Sequence, residues 1–517
     1  MHGDTRNTRG PSARSESGQG SRYKLKAKVC AVQRESEGIV VAAMAVTNNA
    51  TGAKGPWGGQ VGKAGTHEGM TGKTESNHPE GRKPLDQVRH LQRRLWVAAK
   101  RSRERRFHAL MDRIWRRDVL REAWERVRRN RGSAGVDHET LAEIEQFGVE
   151  RMLEELGAAL QAGTYRPQPV LRRYIPKADG RKRPLGIPTV RDRVAQMAAA
   201  LVLQPIFEAD FRDSSYGFRP KRGATQALET LRVLGARGGD HVLDADIRDY
   251  FGSIDQTKLL KLVAQRISDR RVMKLLRQWL EAGVMEEGRW TATLAGTPQG
   301  GVISPLLSNI YLHVLDRVWE QRCADLGTLV RYADDFVVMC RTKPQVEEAR
   351  RRVGLVLARL GLELHPEKTR TVDLSRGREG FDFLGCHLRK HMSGRIWERR
   401  RQRVYFLHRW PSQRAMTRVR DRIREITPRQ RAHDDLRGVI AELNGVLRGW
   451  GEYFRTGNAT RQFLAIDRYV VDRLRGLLVK RAGSRLRPDR VAQWERDFFE
   501  ALGLHRLRGT VRYPGVA

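Results

Sequence analysis

"LVRYADDFVVMC", residues 329–340, sets two adjacent aspartates, Asp334 and Asp335, between two short apolar runs. Leu329, Val330, Phe336, Val337 and Val338 favour extended backbone, so the stretch reads as a hairpin with the acids at its tip. Asp is itself a turn former, and a hairpin tip requires no chemistry. Yet a tight turn is better served by Asn-Gly or Asp-Gly, and neighbouring carboxylates repel each other.

A second run, "HVLDADIRDYFGSID" at 241–255, also ends in acid. Asp244 and Asp246 alternate, which puts both on one face near the end of a strand. If this strand lies beside the hairpin, Asp246 meets the Asp334–Asp335 tip. Three crowded carboxylates need cations between them. Two magnesium ions about 3.5–4 Å apart would relieve the repulsion and clamp a phosphoryl-transfer reaction.

Composition points the same way. Lys and Arg number 98 against 60 Asp and Glu, a net charge of +38, and the excess runs through most of the chain. Such a field attracts a polyanion, with nucleic acid ahead of an anionic membrane surface. The apolar run "IVVAAMAV" at 39–46 is too short to span a bilayer, and the polar N-terminus has no signal-peptide core. Cys30, Cys323, Cys340 and Cys386 are too scattered for a disulfide framework or a zinc module, so a reducing cytoplasm is expected.

Along the chain, residues 1–84 are rich in Gly, Ser, Thr, Asn and Lys and read as a flexible, largely disordered extension. From 85 to 165 the pattern is helical, with Val88, Leu91, Leu95, Ala98, Leu110, Ile114 and Leu120 spaced among arginines. Residues 166–395 mix short β-type runs ("VLRRYIPK", "HVLDADI", "FDFLGCHL") with helices. Beyond about 410 the chain is helical again, and Leu436, Val439, Ile440, Leu443, Val446, Leu447, Trp450 and Phe454 form one apolar stripe. The fold class is therefore α/β followed by α.

At this level of detail the sequence resembles the reverse transcriptases encoded by bacterial group II introns, which also serve as maturases. "YIPKADGRKRPLGIPTVRDRVAQ" is similar to their fingers segment and "SYGFRPKRGATQAL" to the block after it. "DADIRDYFGSID" and "YADD" resemble the two catalytic motifs, and "GTPQGGVISPLLSNIYLHVLD" the template and nucleotide pocket. "GLELHPEKT" and "FDFLGCHL" resemble the next palm motif and the primer grip, and "PSQRAMTRVRDRIREIT" with "LNGVLRGWGEYFRTGN" the maturase region that acts as thumb.

The resemblance implies a right-hand polymerase: helical fingers extension at 85–165, fingers and palm at 166–395, thumb or maturase domain at 396–485. A basic segment at 486–517 either binds target DNA or is simply solvated. It implies a metal site of Asp246, Ile247, Asp334 and Asp335 holding two magnesium ions. Lys177 and Arg183 would hold the nucleotide triphosphate, unless they are ordinary loop charges. Phe251 would lie under the sugar and exclude a 2′-hydroxyl, unless it is a plain core ring. Gln299 would touch nucleotide or template, and Gly300 and Gly301 would let the backbone approach closely. Lys368 would donate a proton to pyrophosphate, unless it is a solvated lysine. Arg418, Arg420, Arg422 and Arg424 would face RNA from a helix whose apolar side carries Ala415, Val419, Ile423 and Ile426. His313, His365 and His387 have no ligand spacing and read as structural.

The implied activity is RNA-directed DNA synthesis from a target DNA primer with deoxynucleotides, combined with binding of intron RNA to assist splicing. The absence of a cysteine cluster after Cys386 points to a form without an endonuclease. The competing expectations are a splicing maturase with a silent polymerase and a domesticated or defence reverse transcriptase. Intact Asp246, Asp334 and Asp335 weigh against the first.

Overall fold

The computed structural model describes residues 84–176, 182–286, 288–292, 296, 300–483 and 488–512. The expected flexible extension at 1–84 lies, but for its last residue, outside them. The strands are β1 (Val170–Pro176), β2 (Lys182–Ile187), β3 (His241–Ala245), β4 (Val284–Glu286), β5 (Arg289–Thr291), β6 (Thr328–Tyr332), β7 (Asp335–Cys340), β8 (Arg370–Asp373), β9 (Gly380–Phe383), β10 (Cys386–Met392) and β11 (Tyr405–Pro411). They form three sheets, ordered β2-β1-β4-β5, β6-β7-β3-β8 and β11-β10-β9.

The chain divides into two compact units. One holds the described residues up to Asp210 together with Asp255–Leu307, and the other holds Phe211–Ile254 and the chain from Ser308 onward. The first is organised around helix Val190–Glu208, which is apolar on nearly every side and correspondingly buried. Helices Pro84–Arg101 and Arg117–Arg129 pack on it and leave their arginine faces to solvent. Val88, Leu91 and Leu95 are buried as their spacing predicts, whereas burial at the next turn falls on Ala99 and leaves Ala98 half-buried. The β1–β2 hairpin belongs to this unit and pairs from Leu171 opposite Ile187 to Pro176 opposite Lys182. Gly300 has φ +113°, and a Cβ there would stand 2.4 Å from the Gly186 carbonyl oxygen, so this close approach of two segments requires glycine.

The second unit is built on the sheet β6-β7-β3-β8. Val242, Leu243, Val330, Val337 and Val338 are buried, covered in part by helix Lys343–Leu360. After β11 the chain is helical, as expected. Helices Gln413–Ile426, Leu436–Phe454 and Thr460–Ala482 bury facing apolar stripes. Val419, Ile423 and Ile426 are in the core, but Met416 takes the place expected of Ala415, which is half-buried. Val446 and Trp450, at the margin of the next helix's stripe, are half-buried too.

The segment beyond 485 is not a loose tail over its described part. Phe499 and Leu507 are fully buried, and Asp467 accepts hydrogen bonds from the backbone N–H groups of Leu507 (3.0 Å) and Arg508 (2.9 Å). Its basic composition concealed these few apolar anchors.

Candidate active site

β3 and β7 run antiparallel at the centre of their sheet, with Ala245 opposite Phe336. Extending that register by one residue sets Asp246 across from Asp335. β6 and β7 are joined by Ala333 and Asp334 alone, closing with Tyr332 opposite Asp335. Ala333 has φ +58°, the left-handed backbone that a two-residue hairpin loop demands. The pairing thus delivers Asp246, Asp334 and Asp335 to one end of one sheet, as the alternation predicts. Asp244 lies two residues back on the same face.

The electrostatics reflect this crowding. The carboxyl of Asp335 is pushed up from 3.8 to about 7, first by burial and then by the negative charges of Asp334, Asp246 and Asp244, with Lys368 pulling the other way. Protein atoms crowd the carboxyl while the residue still reaches solvent at the sheet's end. Burial also raises the carboxyl of Asp244, against the pull of Arg370, whose Nε donates to it at 3.1 Å.

Asp246 is tied to the segment that follows helix Lys343–Leu360. Lys368 Nζ donates to its Oδ2 at 2.6 Å. Its carbonyl accepts from His365 N (2.7 Å) and Thr369 Oγ1 (3.2 Å). Ile247 is buried and bridges Leu364. Lys368 therefore serves in this geometry as a counter-cation to the acids.

Hard carboxylate oxygens around an acid whose ionisation is suppressed by burial and by like charges are a suitable donor set for a hard divalent cation. Among the described residues no three such side chains stand close enough to hold an ion as they are, and Lys368 occupies one oxygen of Asp246. The residues fit a divalent ion in charge and donor type, with Lys368 the group that must yield.

Beneath the turn lies a cluster that sequence reasoning missed. Arg331 is wholly buried, and its guanidinium donates to both oxygens of buried Asp316 (2.8 and 2.5 Å), to Asn309 Oδ1 (3.1 Å), to Ser215 Oγ (2.8 Å) and to the carbonyl of Ala333 (2.8 Å). Asn309 in turn donates to the carbonyl of Gly217 at 2.8 Å, and a Cβ on Gly217 would meet the Ala333 nitrogen at 2.4 Å. Three of the quoted motifs thus converge on the Ala333–Asp334 turn through side chains of no obvious chemical role. The one available signal was an arginine inside an otherwise apolar strand.

Lys177 and Gln299 lie outside the described residues. Arg183 lies in β2 opposite Ile175. Phe251 is half-buried in the short helix Tyr250–Ser253, edge-on to Tyr250 at 5.1 Å between ring centroids. The four arginines proposed for RNA lie on helix Gln413–Ile426. Arg418 is exposed, Arg420 is over the Tyr469 ring at 5.9 Å, Arg422 pairs with Glu425 at 2.6 Å and Arg424 pairs with Asp421. His313 is half-buried, edge-on to Phe211, and desolvation pushes its imidazole down to about 4.

Comparison with known proteins places this geometry. Residues 175–388 match the family described as reverse transcriptase (RNA-dependent DNA polymerase), and residues 416–492 match the group II intron maturase-specific domain. The matched segment, which contains this sheet, is thus that of an RNA-directed DNA polymerase. Protein YkfC of Escherichia coli K12 is 35% identical over 341 residues, 58% of this chain and 88% of its own length. The group II intron-encoded protein LtrA of Lactococcus lactis is 38% identical over 208 residues, 40% of this chain and 34% of its own. An uncharacterised 91 kDa protein in a cob intron of Schizosaccharomyces pombe is 26% identical over 411 residues, 66% of this chain and 50% of its own. The chain belongs to the group II intron-encoded reverse transcriptases and maturases, which combine DNA synthesis on RNA with roles in intron splicing and mobility. Such enzymes use divalent metal ions and act on nucleic acid. No helix among the described residues is long and apolar enough to cross a membrane.

Proposed function

We propose that this chain copies the intron RNA encoding it into DNA at a target DNA primer in the bacterial cytoplasm, and that it binds the unspliced intron to favour its active fold. The observation that carries the reading is the β3–β7 register, which continues to Asp246 beside Asp335.

Asp246, Asp334 and Asp335, with Ile247 beside them, would hold two Mg²⁺ ions, which when bound supply charge stabilisation to the attacking and leaving oxygens. Positive charge entering the cluster would lower the raised carboxyl of Asp335 and favour its ionised form. Lys368, once displaced from its contact with Asp246, would give a proton to the departing pyrophosphate. Lys177, Arg183 and Gln299 hold the incoming nucleotide and template. Phe251 sets the sugar preference. Arg418, Arg420, Arg422 and Arg424 face RNA phosphates.

The test is primer extension on an RNA template with Mg²⁺ and deoxynucleotides, comparing wild type with Asp334→Ala/Asp335→Ala. DNA product from wild type alone supports the reading. The Lys368–Asp246 contact favours a second reading, a maturase whose polymerase is silent. No product from either protein, with tight RNA binding retained, would select it.

A further inference from the structure

Residues 389–415 fall between the two family matches. They contain most of the β10–β11 hairpin, which pairs from Cys386 opposite Pro411 to Met392 opposite Tyr405. Its two faces differ sharply. On one, Leu388, Lys390, Leu407 and Arg409 are buried, with Lys390 paired to Asp240 and Arg409 to Glu229. On the other lie Arg389, His391, Phe406, His408 and Trp410, none of them buried. The rings of His391 and His408 stack with centroids 5.0 Å apart and planes at 25°, and Trp410 meets His391 edge-on at 5.4 Å. Phe406, at 41% exposure, continues the same face.

The hairpin's tip is "GRIWERRRQR", residues 394–403, with a two-turn helix, Gly394–Arg400, that buries no side chain. It carries Arg395, Arg399, Arg400, Arg401 and Arg403 against the single acid Glu398. All five arginines are exposed, and none of their guanidinium groups belongs to an ion pair or hydrogen bond found among the described residues. That sets them apart from Arg422 and Arg424 on the nearby helix, whose charges have internal partners. Trp397 lies under two of the guanidinium groups, 5.8 Å from Arg401 and 5.7 Å from Arg403.

We propose that the β10–β11 hairpin is an RNA-docking arm, whose outer rings stack on unpaired bases while the tip arginines contact the adjoining phosphates. The occupant follows from chemistry. Positive charge without an internal counter-ion calls for a polyanion, and a flat sheet face of rings accepts bases that are out of a duplex stack. A two-turn helix is short for reading a groove. The inference rests on the reading that this chain binds RNA, and it assigns part of that binding to an element neither family match covers.

The experiment uses the full chain and measures binding of a short mixed-sequence single-stranded RNA across a salt series, alongside extension of a pre-annealed template–primer. Two variants are compared with wild type: Arg399→Gln/Arg400→Gln/Arg401→Gln and His391→Ala/Phe406→Ala. The tip variant should bind RNA about tenfold more weakly, and its salt slope should fall by about 2, since each single-strand phosphate contact contributes roughly 0.7. The face variant should bind about fivefold more weakly or worse with its slope unchanged, because stacking releases no counter-ions. Both should extend the pre-annealed primer at the wild-type rate, which also shows that they fold. RNA affinity within twofold of wild type in both variants would overturn the proposal. So would intact RNA binding with a raised KM for the DNA primer, which would give the arm to the primer. Failure of wild type itself to bind RNA would instead overturn the reading beneath it.

Discussion

The guanidinium of Arg331 and the carboxylate of Asp316, both wholly buried, form a two-pronged pair at 2.8 and 2.5 Å directly under the turn that carries Asp334. A further N–H of Arg331 holds the Ala333 carbonyl, so the pair fixes the loop at the point where its backbone is left-handed. Removing one partner leaves the other charge buried and uncompensated, a loss of about 3–5 kcal/mol. Asp316→Ala is expected to lower stability by that amount in denaturant unfolding. Arg331→Lys keeps the charge but loses the planar fork. It should lower kcat for primer extension more than it changes KM for the nucleotide. Wild-type kcat in Arg331→Lys would show that the turn does not depend on the fork.

The raised carboxyl of Asp335 makes a signed prediction about pH. Its folded value is about 7 against 3.8 for the unfolded chain, so the metal-free folded state binds more protons between those limits. Stability contributed by this group is therefore present at low pH and lost as pH rises toward 7. Asp335→Asn should be more stable than wild type in chelator above pH 7, by on the order of 1 kcal/mol once solvent screening is allowed for, read as a higher melting temperature. Added Mg²⁺ should raise the melting temperature of wild type more than that of the variant. Equal responses would remove Asp335 from the cation site.

Phe251 offers a test of sugar choice. Its ring is packed edge-on to Tyr250, whose hydroxyl donates to the Ser308 carbonyl at 3.0 Å, so the aromatic pair has a fixed support. Phe251 keeps partial exposure, unlike a plain core ring. Phe251→Ala should raise the ratio of ribonucleotide to deoxynucleotide incorporation by about tenfold, the scale of one lost steric contact of about 1.4 kcal/mol. Unchanged sugar selectivity would place the discrimination elsewhere.

The meeting of Asp246, Asp334 and Asp335 was legible because strand alternation and a two-residue turn are local rules, and it required only that β3 lie beside β7. What holds them was not legible. Asp316, Asn309 and Ser215 reach Arg331 across sequence separations that no periodicity encodes. The position of Lys368 was legible, but its present partner was not: an exposed lysine by sequence is a counter-ion to Asp246 in space. The basic composition after 485 read as a tail that either binds DNA or is solvated, because few apolar residues stand among its charges, yet Phe499, Leu504 and Leu507 are each buried.

The arginines of helix Gln413–Ile426 are not equivalent, and the difference is measurable. Arg422 and Arg424 already have carboxylate partners one turn away, so an RNA phosphate must compete with Glu425 or Asp421 for them. Arg420 is drawn toward the Tyr469 ring. Arg418 is exposed, with no partner found among the described residues. Charge reversal at Arg418 should therefore weaken intron RNA binding more than reversal at Arg424, and should lower the salt slope by about 0.7–0.9, one phosphate contact. At Arg424 the slope should move less, because the wild-type charge is partly neutralised within the helix. Equal losses at both positions would mean that the Asp421 pair opens when RNA binds, and no loss at either would move the RNA surface off this helix.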